Sequence, residues 1–104
     1  MGDMVIVAYK PKEGMGGQLR ELVKNHVPFL GRLGLVTDRK PMAMMSNDGT
    51  IIEVFEWEVG GISKAHENVA VNELWEKFSK VCDYVPIGTL PEAQNIFSQF
   101  KPID

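Results

Sequence analysis

Pro41-Met42-Ala43-Met44-Met45-Ser46-Asn47-Asp48-Gly49-Thr50-Ile51-Ile52-Glu53-Val54-Phe55-Glu56-Trp57 reads as two strands around a tight turn. Asp48-Gly49 between two strand-like runs is a strong local hairpin signal, because glycine accepts the positive φ of such a turn. The two runs are therefore antiparallel neighbours. In the second, Ile51, Glu53, Phe55 and Trp57 share one face, and Ile52, Val54, Glu56 and Glu58 share the other. Both faces begin apolar, so both need cover.

Reading outward from the hairpin, Met4-Val5-Ile6-Val7-Ala8-Tyr9 is a β-branched run ended by Pro11. It predicts a strand buried on both faces. From Gln18 the period turns helical, with Leu19, Leu22, Val23, His26, Leu30 and Leu33 on one stripe. Pro28 lies inside that stripe and predicts a kink or break near Val27. Gly34 is its natural stop. Beyond the hairpin, Gly60-Gly61 reads as a hinge-like link and Ser63 as the cap of a second helix. Val71, Leu74, Trp75, Phe78, Val81 and Cys82 form that helix's apolar stripe, and Asp83-Tyr84-Val85-Pro86 ends it. Ile96-Phe97-Ser98-Gln99-Phe100 is the expected last strand, with a helix over Pro91–Gln99 competing. The order β-α-β-β-α-β predicts an α+β, ferredoxin-like domain over residues 1–104. It has a four-stranded antiparallel sheet with both helices on one face. Two helices cover one face only, so a homodimer through the other is expected.

Composition narrows the functions. The chain is 44% hydrophobic and 24% charged, with a net charge of −3, and its pI is about 5.3. The eleven Lys and Arg are scattered and make no basic stripe for nucleic acid. No apolar run approaches the ~20 residues that span a bilayer. Cys82 is the one cysteine, so no internal disulfide is possible. The N-terminus lacks a basic start and a long apolar stretch, so a cytoplasmic location is expected.

The common catalytic signatures fail. Gly14-Met15-Gly16-Gly17 opens a helix, but Leu19 stands where a dinucleotide fingerprint needs its third glycine. His66-Glu67-Asn68-Val69-Ala70 places Ala70 where a zinc-protease helix needs a second histidine. One Cys and two distant His give no metal-ligand spacing. No metal and no cofactor are expected. Two histidines on apolar stripes remain. His26 reads as a core histidine bonded to backbone near Pro28. His66 is expected in the first turn of the second helix, facing a cavity between helix and sheet as a base or hydrogen-bond partner. Tyr9, Trp57, Trp75 and Tyr84 are amphipathic aromatics suited to walling a flat ligand. Glu53 and Glu56 have apolar neighbours, and either is a candidate base if it faces a pocket. Cys82 reads as inert apolar filler.

The β-α-β-β-α-β order, Glu56-Trp57 ending the third strand, Ser63-Lys64-Ala65-His66 and the Leu74-Trp75 segment carry a resemblance. The chain resembles the dimeric α/β-barrel proteins, the superfamily of antibiotic-biosynthesis-type monooxygenases and stress-responsive barrel proteins. The resemblance implies two sheets facing across a dyad, helices outside, and a pocket between helices and sheet in each subunit. It implies a cofactor-independent monooxygenase-like enzyme acting on a small hydrophobic oxygenated molecule. His66 would be catalytic, and Tyr9, His26, Trp57 and Trp75 would contact the substrate. The alternatives are a non-catalytic ligand-binding or structural barrel dimer and a polyketide-cyclase-like enzyme using a Tyr and a His. The haem-degrading members use an Asn on the first strand. This strand carries Tyr9 and no Asn, which argues against haem.

Overall fold

The computed structural model describes residues 2–103. Along the chain come β1 (Met4–Pro11), α1 (Gly16–Arg32), β2 (Met42–Met45), β3 (Ile51–Glu56), α2 (Gly61–Glu67), α3 (Val69–Val81), β4 (Cys82–Val85) and β5 (Lys101–Pro102). Two short 3-10 turns, Ile87–Thr89 and Pro91–Gln94, lie between the last two strands. The protein is α+β. Its strands form one antiparallel sheet in the order β4-β1-β3-β2-β5. No described helix is long and apolar enough to cross a membrane.

The hairpin forms as read. Met42 pairs with Val54 and Met45 with Ile51. Gly49 takes φ +92°, and the Asp48 carboxylate accepts from the Ser46 hydroxyl and, at 2.9 Å, from the Thr50 amide. β1 lies inside the sheet, between β3 and β4, with Tyr9 opposite both Ile51 and Tyr84. Alternation along β1 and β3 then divides the core. Val5, Val7, Phe55 and Trp57 meet Val27 and Leu30 of α1, Ala65 of α2 and Val71 of α3. Tyr9 and Ile51 meet Leu19, Val23 and Phe78. All three α-helices therefore pack on one face.

Several expectations are corrected. Five strands are present instead of four. The strand expected at 96–100 does not form. Ile96 and Phe97 are 97% and 82% exposed, and the terminal pairing falls at Lys101–Pro102 against Met45 and Met44. The fourth strand starts directly after the helix, at Cys82, because the Lys10–Pro11 end of β1 offers Asp83 and Cys82 a partner. The second helix is two. Asn68 is extended (φ −91°, ψ 121°), ending α2 and capping α3 by accepting from the Val71 amide at 3.0 Å. Gly60, and not Ser63, precedes α2, and its side chain-free position offers no cap bond. Gly61 is no hinge: it is buried against Leu35, whose carbonyl oxygen a Cβ there would overlap. α1 runs unbroken through Pro28. Pro28 and Lys24 are both exposed, so water reaches the carbonyl that the proline leaves unpaired.

The second face of the sheet is half covered by the chain itself. Leu90 is buried on Ala8 and Ile52, with Ile87, Ala93 and Phe100 against the same cluster. The other half lies open. Ile6, Val54 and Met42 are cross-strand neighbours, and Met4, Ile6 and Met42 are 52%, 54% and 59% exposed.

Candidate functional site

A cavity of about 400 Å³ opens between the helices and the sheet. Alternation aims Val5, Val7 and Tyr9 of β1, Phe55 of β3 and Trp57 just beyond its end into its base. α1 contributes His26, α2 contributes Ile62 and His66, α3 contributes Trp75, and β4 contributes Tyr84. Tyr9, His26, Trp57, His66 and Trp75, nominated from the sequence, thus line one cavity. Trp57 stacks edge-on to Phe55 at 5.1 Å between ring centres, and His66 edge-on to Trp75 at 5.2 Å.

The break at Asn68 explains the last contact. Ile62 and His66 are four residues apart on α2 and share a face. Because α3 starts on a new axis, Trp75 converges on His66 instead of stacking along the same helix. His66 stands in the last turn of α2, not the first turn of a long helix, and is exposed at the cavity mouth. Its ring makes no hydrogen bond among the described residues.

The floor is a hydrogen-bonded chain of buried side chains. The Tyr9 hydroxyl donates to Glu53 Oε1 at 2.7 Å. The indole Nε1–H of Trp75 donates to His26 Nε2 at 3.1 Å. An indole nitrogen only donates, so Nε2 is the accepting nitrogen and the proton sits on Nδ1. Nδ1 in turn donates to Glu53 Oε1 at 2.9 Å. His26 is therefore bonded to side chains rather than to the backbone near Pro28. Phe55 and Phe78 pack edge-on against its ring. Burial, then the adjoining Glu53 carboxylate, pushes the Tyr9 phenol far above its ordinary range, so it stays protonated and donating. The half-exposed Tyr84 phenol is pushed up to about 12, chiefly by burial, and is a neutral donor at neutral pH.

Glu53 anchors this floor. Its signal in the sequence is a carboxylate at the middle of the Ile51-Glu53-Phe55 face, which only a buried partner makes tolerable. Its partners lie 44 and 27 residues away, beyond the reach of any local pattern. Glu56 is not part of the site. It lies on the opposite face, where Arg39 Nε and the Thr37 hydroxyl donate to its Oε1 at 3.0 and 2.9 Å. Those two bonds hold its carboxyl below the usual range, the reverse of a raised-pKa base. Cys82 is buried, its thiol pushed up to about 11 by burial and bonded to the Phe78 carbonyl. It is a poor nucleophile. Among the described residues no group of three or more His, Cys, Asp or Glu is placed to hold a metal ion.

Comparison of the chain with protein-family models, with curated proteins and with solved structures finds no match.

Proposed function

We propose that the chain binds a small, flat, hydrophobic molecule carrying an oxygen function, and acts on it as a cofactor-independent monooxygenase-like enzyme. The observation that carries the reading is the aromatic cavity itself, whose walls are Tyr9, Phe55, Trp57 and Trp75 and whose polar groups at Tyr9, His26 and Trp75 are bonded. An apolar slot with few free polar groups selects a flat organic molecule over a sugar or a phosphate. The groups left to meet the ligand's oxygen are the Trp57 indole N–H, His66 and Tyr84. In this reading His66 accepts the proton of a ligand hydroxyl, and the Tyr84 phenol donates to the oxyanion that results. The anion reduces dioxygen as co-substrate, a ring CH2 becoming C=O while the second oxygen atom leaves as water. Tyr84 takes the place that a Tyr–His pair, as in a polyketide-cyclase-like enzyme, assigned to Tyr9.

The proposal extends to the fold. Strands β1 to β4 in the order 4-1-3-2 support a ferredoxin-like assignment, with β5 as an added edge strand. The open apolar row of Ile6, Val54 and Met42 supports sheet-to-sheet pairing with a second copy, as in a dimeric α/β barrel.

One observation favours a non-catalytic binding role instead: the floor's polar atoms are occupied by one another. Tryptophan fluorescence separates the readings, since Trp57 and Trp75 both line the cavity. Naphthol-class and polyketide-like phenols are expected to quench it. His66→Ala is expected to leave stability within about 0.5 kcal/mol, as for other exposed positions, and to abolish turnover. Turnover-free binding that His66→Ala leaves unchanged favours the binding role. No quenching by any of these phenols removes both.

A further inference from the structure

We propose that a second cleft, between α1 and β2, is a binding site for a short amino acid-like chain with an ammonium group at one end and a carboxylate at the other. This cleft has a volume of about 290 Å³. Val23 and Val27 of α1, Ala43 of β2, Ile51 of β3 and Ile103 give it apolar walls. Those walls suit methylene groups.

Glu53 lies at its floor and is not among the residues lining the aromatic cavity. The Glu53 side chain is 3% exposed. Both of its hydrogen bonds, from Tyr9 and His26, end on Oε1. Oε2 accepts none among the described residues, yet it is not sealed off. Thr50 Oγ1 is the sole fully occluded side-chain oxygen or nitrogen without a partner among them. Glu53 lines this cleft and not the aromatic cavity, so the cleft is the side from which a ligand reaches its carboxyl group. Apart from the His26 bond at Oε1, no basic side chain among the described residues lies within 4.0 Å of the Glu53 carboxyl oxygens. A buried carboxylate oxygen with a vacant face is completed best by a charged donor. A primary ammonium supplies one.

The rim carries the opposite sign. Arg20 and Lys24 are four residues apart on α1 and share a face at the cleft mouth. Both are exposed, and neither has a carboxylate partner within 4.0 Å among the described residues. Arg20 Nη2 rests on Met45 Sδ at 3.7 Å, which turns it toward the β2 side. Glu21 stands on the same rim. A negative floor, apolar walls and two free cations outside match an ω-amino carboxylate read from the inside out.

The probe is ε-aminocaproate, followed by amide and indole NMR on the full chain. It is expected to shift the amides of Val23, Val27, Ala43 and Ile51 and to leave the indole signal of Trp57, which is outside the Glu53 hydrogen-bond chain, in place. Caproate, which lacks the amine, and hexylamine, which lacks the carboxylate, are each expected to bind about tenfold more weakly, the loss of one charge-assisted contact. Glu53→Gln should erase the preference for the amine. Because Glu53 also holds Tyr9 and His26, the exposed variants Arg20→Glu and Lys24→Glu provide a second arm and should each weaken binding by about tenfold. No cleft shift up to about 10 mM probe, equal binding of all three compounds, or unchanged binding by both rim variants overturns the proposal. Shifts confined to the indoles also overturn it, by placing the probe in the aromatic cavity. Phenol quenching of Trp57 and Trp75 is unaffected by any of these results, so this site and the aromatic site fail independently.

Discussion

Glu53 shows how one residue joins a core to a site. Its Oε1 accepts from Tyr9 and His26 together, and through His26 the chain of bonds reaches the Trp75 indole. Tyr9→Phe keeps the ring on Phe78, where the centroids are 5.0 Å apart, and deletes one donor. A loss of about 1–2 kcal/mol is expected, read as a lower urea midpoint with an unchanged slope. An unchanged midpoint would mean that the phenol contributes nothing to the buried chain. Glu56 sets an acid dependence. Its carboxyl is held below its ordinary range by Arg39, then Thr37, so its contribution is complete above the ordinary carboxylate value. It is lost as pH falls through the depressed folded value. Arg39→Ala should therefore lower the melting temperature at neutral pH, and the difference from the parent should shrink in acid. A difference that grows in acid would reverse the sign of the argument.

At the scale of elements, two tight places govern how the site is delivered. The β2–β3 turn sets the register that brings Glu53 to the helix face. Gly49→Val places a β-branched side chain at φ +92° and should destabilise by about 1 kcal/mol or more. An unaltered melting temperature would exclude the tight turn. The second place is the break between α2 and α3. Asn68 ends one helix and caps the next, and that change of axis sets His66 beside Trp75. A single helix across 61–81 would carry both residues on one rod, spaced by its own period.

For the molecule as a whole, the sheet's second face stays partly open. The 3-10 turns bring Leu90 over Ala8 and Ile52, but Met4, Ile6 and Met42 stay open. An apolar row across three strands is the kind of patch that a second copy covers. Light scattering is expected to show a dimer at micromolar concentration. Ile6→Lys should give a monomer with its far-ultraviolet spectrum retained, because Ile6 is outside both helix-side clusters. A parent that is already monomeric would leave that face without a function.

What the sequence by itself determined were the patterns that neighbours along the chain write: period two in β1 and β3, the Asp48-Gly49 turn, the helical stripe of α1, and the apolar stripe of Val71, Trp75 and Phe78. It also singled out Tyr9, His26, Trp57, His66 and Trp75, because polar tips on apolar stripes must find partners or line a space. Tertiary structure decided the rest. Cys82–Val85 became a strand because β1 had an open edge beside it, although Asp83 and Tyr84 carry little strand pattern. Residues 96–100 had the pattern, but the β2 edge is taken by Lys101 and Pro102 instead. Which polar groups pair, and which remain free for a ligand, depends on contacts tens of residues apart in the chain. Local periodicity tells which face a side chain takes; only the packing of sheet on helices tells what that face meets.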